Sequence, residues 1–340
     1  MAPRNQQSLE GSDPTELMRA LAAYRRPNTA RALFEIVVTA TPFLALWVLS
    51  WAALQASYWL ALPVAIGAAV FLVRLFMIQH DCGHQSFFRQ RAANDWVGRV
   101  IGILTLTPYG AWRMSHGVHH ATSGNLDRRG IGDVHTLTVR EFEAKVWAGR
   151  LAYRLYRHPL VMFGIGPAYM FVLRYRLPGR PFRDGWPAWS SAMAANAAIL
   201  MLAITVIWLV GLGPFLMVQV PITCLAATIG VWLFYVQHQF DRTFWEHEPA
   251  WCVKNAALHG SSHYDLPIVL RWLSANIGVH HVHHLASKIP FYRLGQVLRD
   301  QPALRDVGRL TLTDSLRAAR LALWDEETKR LVSFAEARRR

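Results

Sequence analysis

The chain has 340 residues, is 53% hydrophobic, and still carries a formal net charge of +14. Apolar bulk combined with strong positive charge indicates a membrane protein with basic cytosolic segments. It argues against a nucleic-acid binder, whose basic surface does not come with long uncharged apolar runs. The three cysteines (Cys82, Cys224, Cys252) form no CxxC or CxxCH pattern, which excludes rubredoxin-like and c-type haem sites and gives no sign of a disulfide framework.

Residues 1–32 read as a cytosolic leader. They are polar, then basic through Arg19, Arg25, Arg26 and Arg31, with no apolar core of a cleaved signal peptide. Met18 to Tyr24 fits a short amphipathic surface helix or a solvated leader. Residues 33–54 are apolar apart from Glu35, long enough for a bilayer core that takes about 20 helical residues. After Gln55-Ala56-Ser57, residues 58–78 return, with Arg74 near the end expected to snorkel to the interface. The Arg-rich stretch 79–189 holds two shorter apolar runs, Val97–Trp112 and Leu160–Leu173. Both are interrupted by Pro and Gly and are expected to lie in or dip into the interface. A second hairpin follows, 192–210 and 215–235 around Gly211-Leu212-Gly213-Pro214. Near the C-terminus a helix is expected to start at Thr313-Asp314 and run through Leu316, Leu321 and Leu323 to Trp324. The tail, 336–340, is basic.

Neither hairpin tip carries charge, and Lys and Arg gather elsewhere. The positive-inside rule then gives an all-α integral membrane fold: four transmembrane helices in two hairpins, interfacial helices, and a cytosolic helical cap. A bacterial inner membrane with the active site on the cytosolic side is the expected location.

All fifteen histidines lie between positions 80 and 284. A single histidine on an apolar helix is usually a packing or capping residue. Three clusters of regular spacing are another matter: His80 and His84 in His-Asp-Cys-Gly-His, His116, His119 and His120 in His-Gly-Val-His-His, and His280, His283 and His284 in His-His-Val-His-His. Residues three and four apart share a helical face, and neutral imidazole suits first-row metals. Eight imidazoles are too many for one ion and about right for two, so the cap is expected to hold a di-metal site. The topology puts all three boxes on one side of the membrane and adds His238, at the end of the fourth span, as a ninth candidate; an interfacial histidine is the other reading. His135, His158, His247, His259, His263 and the off-pattern His281 fit surface or supporting roles. Asn276, one turn before His280, could reach the site through a water or be a plain turn residue.

Two nitrogen-ligated metals beside apolar spans favour a lipid substrate. Iron with O2 is the pairing that can attack an unactivated C–H bond. The chain has no Gly-rich dinucleotide fingerprint and no iron–sulfur cysteines. An external donor is therefore expected, with the basic face attracting an acidic carrier such as ferredoxin.

The sequence resembles the integral-membrane fatty acid desaturases, nearest to the bacterial acyl-lipid delta-12/omega-6 type, from about residue 30 to 335. Besides the boxes, the resemblance rests on Asn94-Asp95-Trp96-Val97-Gly98, Gly124-Asn125-Leu126-Asp127-Arg128-Arg129-Gly130, Tyr235-Val236-Gln237-His238, Tyr264-Asp265-Leu266-Pro267 and Leu323-Trp324-Asp325-Glu326-Glu327. It implies one desaturase domain over 33–335, two iron ions, and His238 as a ninth ligand. It also implies cis-desaturation of a fatty acyl chain with reduction of O2 to water, and an apolar substrate tunnel. Tyr109, Trp112 and Trp272 are candidates for its walls, with core packing the alternative role. A di-iron lipid hydroxylase or ketolase is the nearest competing activity. A membrane metal transporter would instead place ligands at mid-bilayer depth, where polar residues are few (Asn196, Gln219).

Overall fold

Ser57 makes the first reversal of the chain. In the computed structural model, which describes residues 14–177 and 181–339, α1 (Pro14–Ala22) is followed by two long helices, α2 (Thr29–Ala56) and α3 (Tyr58–Gly83). Ser57 alone separates them: its extended backbone ends α2, and its hydroxyl accepts the Trp59 amide to cap α3. Asn28 caps α2 in the same way, accepting from the Arg31 amide. A second pair, α8 (Pro181–Val210), which kinks at Gly185 (φ 75°), and α9 (Leu212–His238), is parted at Gly211, whose φ of 88° suits glycine. All four helices are long and apolar enough to cross a membrane. They contain the expected spans and run past them. Leu212-Gly213-Pro214 is already helical, because proline in a first turn gives up no helical hydrogen bond.

Between the pairs lie α4 (Arg91–Leu104), α5 (Tyr109–Thr122), the short strand β1 (Leu137–Thr138), α6 (Val139–Ala144) and α7 (Trp147–Tyr156). The Val97–Trp112 run is thus two helices, parted where Leu106 takes φ 53°. Wide π turns wind Val161–Ile165 and Tyr169–Leu173 around Gly166–Ala168. After α9 come α10 (Val253–His259), β2 (His263–Tyr264), α11 (Ile268–Leu273), α12 (His280–Leu285) and α13 (Phe291–Asp300). The chain ends through β3 (Arg309–Leu310), α14 (Leu312–Ala318), β4 (Leu323–Asp325), β5 (Arg330–Val332) and α15 (Phe334–Ala337).

The chain divides into two compact units. The membrane unit comprises Pro27–Met114 and Phe163–Val231. Trp59, Leu200, Met201, Ile204 and Trp208 are exposed on its flanks, as lipid-facing side chains must be. One charged knot lies inside it. Arg74 is buried, pairs with Glu35 at 2.5 Å and donates from Nε to Thr39 Oγ1 at 3.0 Å; Arg31 reaches the other Glu35 oxygen at 2.7 Å. The expectation that Arg74 snorkels is therefore corrected. A carboxylate one helix away outcompetes the interface, because a charge in an apolar interior is tolerable only when paired. Asp95 fastens α4 and α5 to the turn after α3: its Oδ1 accepts from Gln85 Nε2 (2.8 Å), Tyr109 Oη (3.0 Å) and Arg113 Nη1 (3.1 Å).

The second unit comprises Ser115–Met162 and Trp232–Arg340 with the N-terminal stretch to Arg26. It includes a three-stranded sheet of order β1-β4-β5, with β1 parallel to β4 and β4 antiparallel to β5, and a parallel pair β2-β3. Capping boxes start three of its helices: Thr138 with Glu141, Thr311 with Asp314, and Ser333 with Glu336. The expected C-terminal helix is corrected accordingly. Thr311, not Thr313 or Asp314, is the N-cap, the helix stops at Ala318, and Leu323 and Trp324 belong to a buried strand. Leu137, Phe142, Tyr153, Leu323 and Val332 form one core; Leu126, Trp245, Trp324 and Leu331 form another. Arg157, at the end of α7, donates from Nη2 to Tyr235 Oη (3.0 Å), Gln239 Oε1 (2.9 Å) and the Leu321 carbonyl (2.8 Å), tying α7 to the end of α9.

Candidate metal centre

The histidine boxes sit where helices begin or end. His116, His119 and His120 lie on α5, His280, His283 and His284 on α12, and His238 on the final turn of α9. Helical spacing places each box on one face but does not say how its members are shared, and the structure divides both. His119 joins His238, His280 and His284, whereas His116 and His120 join His283. Each box gives its i, i+4 pair to one group and its middle histidine to the other.

Within the first group the Nε2 atoms follow one another closely: His119 to His238 at 3.1 Å, His238 to His280 at 3.0 Å, and His280 to His284 at 3.1 Å. In the second, His116 to His120 and His120 to His283 are each 3.2 Å. The rings of His120 and His284 stack at 4.1 Å, so the two groups adjoin.

Hydrogen bonds on the far side of the rings fix the tautomers. His238 Nδ1 lies 3.1 Å from the Gly260 carbonyl, which can only accept, so the proton is on Nδ1. His119 Nδ1 meets the Asp133 carboxylate in a short contact with the same consequence. Two Nε2 lone pairs then face each other across 3.1 Å, an arrangement stabilised by a cation between them. The donor set fits a metal ion. Charge state agrees. Burial first, and then the surrounding imidazoles of His120, His280, His238 and His119, hold His284 well below the usual histidine range, leaving it neutral and able to ligate.

His80 and His84 are placed in the membrane unit at the end of α3, with ring centroids 4.8 Å apart. His281 turns away from the groups: its Nε2 meets the Leu304 carbonyl at 2.8 Å, and burial pushes its pKa down to about 3. His263 donates from Nδ1 to the Arg305 carbonyl at 2.6 Å, and His247 pairs with Asp127 at the surface. Asn276, at φ 54°, donates to the Phe291 carbonyl at 3.4 Å. Tyr109 donates to the Cys82 carbonyl at 2.8 Å, bracing the first box, and Trp112 packs against the His80 ring at 5.8 Å. Trp272 stands partly exposed on α11.

Sequence reasoning missed Asp133. Gly132, at φ 74°, brings this stretch of chain against α5; a Cβ there would lie 2.9 Å from the Ser115 carbonyl and 3.0 Å from His119 Cβ. The contact is made by a returning loop, and no periodic spacing announces it. A carboxylate behind a ligating imidazole sets its orientation and raises its basicity.

Four membrane-length helices and two adjoining imidazole groups define an integral-membrane protein able to hold metal. Comparison with known proteins narrows this further. The family model "Fatty acid desaturase" matches residues 57–311. A fatty acid desaturase of Bacillus subtilis is 44% identical over 319 residues, covering 94% of this chain and 90% of that one. An sn-1 oleoyl-lipid 12-desaturase of Anabaena variabilis is 26% identical over 290 residues, 79% of this chain and 75% of its own. A ferredoxin-dependent sn-1 acyl-lipid omega-3 desaturase of Synechocystis is 29% identical over 230 residues, 65% of this chain and 61% of its own. The chain belongs to the fatty acid desaturase family, and as such is an oxidoreductase acting on fatty acids.

Proposed function

We propose that the protein introduces a cis double bond into a membrane acyl lipid at a di-iron centre, with delta-12/omega-6 regioselectivity. The observation that carries this reading is the crossed division of the two His-x-x-His-His boxes into adjoining groups with Nε2 edges of 3.0–3.2 Å. His119, His238, His280 and His284 would hold one iron. His116, His120 and His283 would hold the other, and His80 and His84 are proposed as further ligands on their i, i+4 spacing. Two irons so held supply O2 activation and the means to remove hydrogen from an unactivated carbon. In balance, –CH2–CH2–, O2, two electrons and two protons give –CH=CH– and two waters.

This chain's own part is to fix the nitrogens and control what reaches them. Asp133 and the Gly260 carbonyl hold the His119 and His238 rings in the ligating tautomer, and burial keeps His284 unprotonated. The electrons come from outside, since the sequence carries no dinucleotide or iron–sulfur motif. Ferredoxin is the proposed donor, in line with the name of the Synechocystis relative. The active site is proposed to face the cytosol of a bacterial inner membrane.

The test is the fatty acid profile of a host without polyunsaturates expressing the wild type or His119→Ala. A new double bond with the wild type alone is expected, and its position reports the regioselectivity. A hydroxy or oxo fatty acid would move the activity to the hydroxylase reading. Metal-free, correctly folded protein would sink the metal centre.

A further inference from the structure

A groove of about 380 Å3 in the second unit lies between α6, α7 and α15, apart from the histidine groups. Phe142, Leu151, Phe334 and Trp147 give it an apolar lining, and Arg150, Arg154 and Arg338 bring three guanidinium groups to it, against one acid, Glu143. Among the described residues, none of the three arginines has a carboxylate within salt-bridge distance. Arg154 is held in place by aromatic faces: its guanidinium carbon lies 4.7 Å from the Phe334 ring centre and 5.4 Å from that of Phe142. Partial burial, then Arg338 and Arg150 beside it, lower the pKa of Arg154, so positive charge is crowded here. An anion relieves that crowding. α7 also exposes Trp147, Leu151 and Leu155 at four-residue intervals, with Val146 and Leu160 exposed at either end. This apolar stripe beside a cationic cluster is the pattern of a surface facing lipid.

We propose that this groove binds the phosphodiester headgroup of an anionic phospholipid, with Arg150, Arg154 and Arg338 on the phosphate and Phe142, Leu151 and Phe334 beneath the first carbons of an acyl chain. Planar guanidinium forks match phosphate oxygens. A free phosphate would have no use for the apolar lining, and a zwitterionic headgroup would present its own cation to the arginines. The inference rests on the protein being in a membrane and not on the reaction it catalyses.

Native mass spectrometry of the full-length, metal-loaded protein, titrated with dioleoyl phosphatidylglycerol or dioleoyl phosphatidylcholine, tests it. The wild type is expected to take its first phosphatidylglycerol about tenfold or more tightly than phosphatidylcholine, from the attraction of several arginines near one anionic headgroup. Arg154→Gln with Arg338→Gln should abolish that preference and leave phosphatidylcholine binding unchanged. Arg317→Gln with Arg320→Gln, an equal loss of charge elsewhere on the unit, should preserve it. Arg154→Lys should fall between wild type and the double glutamine variant. If the double variant does not fold, Arg150→Gln at an exposed position replaces it. Equal affinity for the two lipids, or undiminished preference in the glutamine variants, overturns the proposal. Competition by equimolar inorganic phosphate overturns the lipid assignment. Unchanged lipid binding with weakened use of reduced ferredoxin would make the groove a docking surface for an acidic protein instead.

Discussion

The two units keep buried polar groups by different means. In the membrane unit, Glu35 and Arg74 are opposite charges paired with each other, with Thr39 accepting from Arg74 and Arg31 reaching the second Glu35 oxygen. In the second unit, the buried side chains of the site are alike, imidazole beside imidazole. His238 and His119 turn their outward nitrogens to a carbonyl and a carboxylate, and their inward nitrogens face each other. The first arrangement is complete in itself. The second is one that a cation would complete. One serves stability, while the other spends it on a site.

The sharpest way to break the comparison is to remove a ligand. His119→Ala and His283→Ala are each expected to abolish product formation and to lower the bound metal measured by elemental analysis, while the membrane helices persist in circular dichroism. Next, Glu35→Ala leaves Arg74 buried and uncompensated, at an expected cost of about 3–5 kcal/mol in thermal or denaturant unfolding. Replacing both partners, as Glu35→Leu with Arg74→Met, should cost much less; if the double change costs as much as the single, the pair is more than self-compensating. Asp133→Asn keeps the shape but weakens the hold on His119, and metal affinity should fall about 10–100-fold in a chelator competition. The smallest effect concerns acid. Burial lowers the pKa of His263, so its folded-state pKa lies below the unfolded value of about 6.5. The unfolded chain then binds more protons, and stability is full above about pH 6.5 and declines as pH falls below it. His263→Asn should flatten that slope; an unchanged slope would assign the acid sensitivity to other groups.

Legibility followed the same division. The spans could be read because uncharged apolar runs of bilayer length have few other uses, and charge placement alone marked the hairpins. Arg74 was misjudged because hydropathy sees a charge near the end of a run but not Glu35 facing it from the preceding helix. The leucines at 316, 321 and 323 suggested a helix, yet the pairing of Leu323 with Leu137 and Val332 makes a strand that no local pattern declares. At the site, every histidine that joins the two groups was legible from spacing or topology, His238 included. How the boxes are shared, and the presence of Asp133 behind His119, depend on chain segments meeting in space.

The crossed sharing of the boxes has a consequence for assembly. Because α5 and α12 each serve both groups, neither helix can settle around one ion without also presenting nitrogen to the other. In the proposed two-metal centre, occupancy of the two positions would therefore be coupled through the backbone of each turn. During maturation the protein should pass from empty to doubly filled with little singly loaded protein between, and a chelator should strip both positions along one curve.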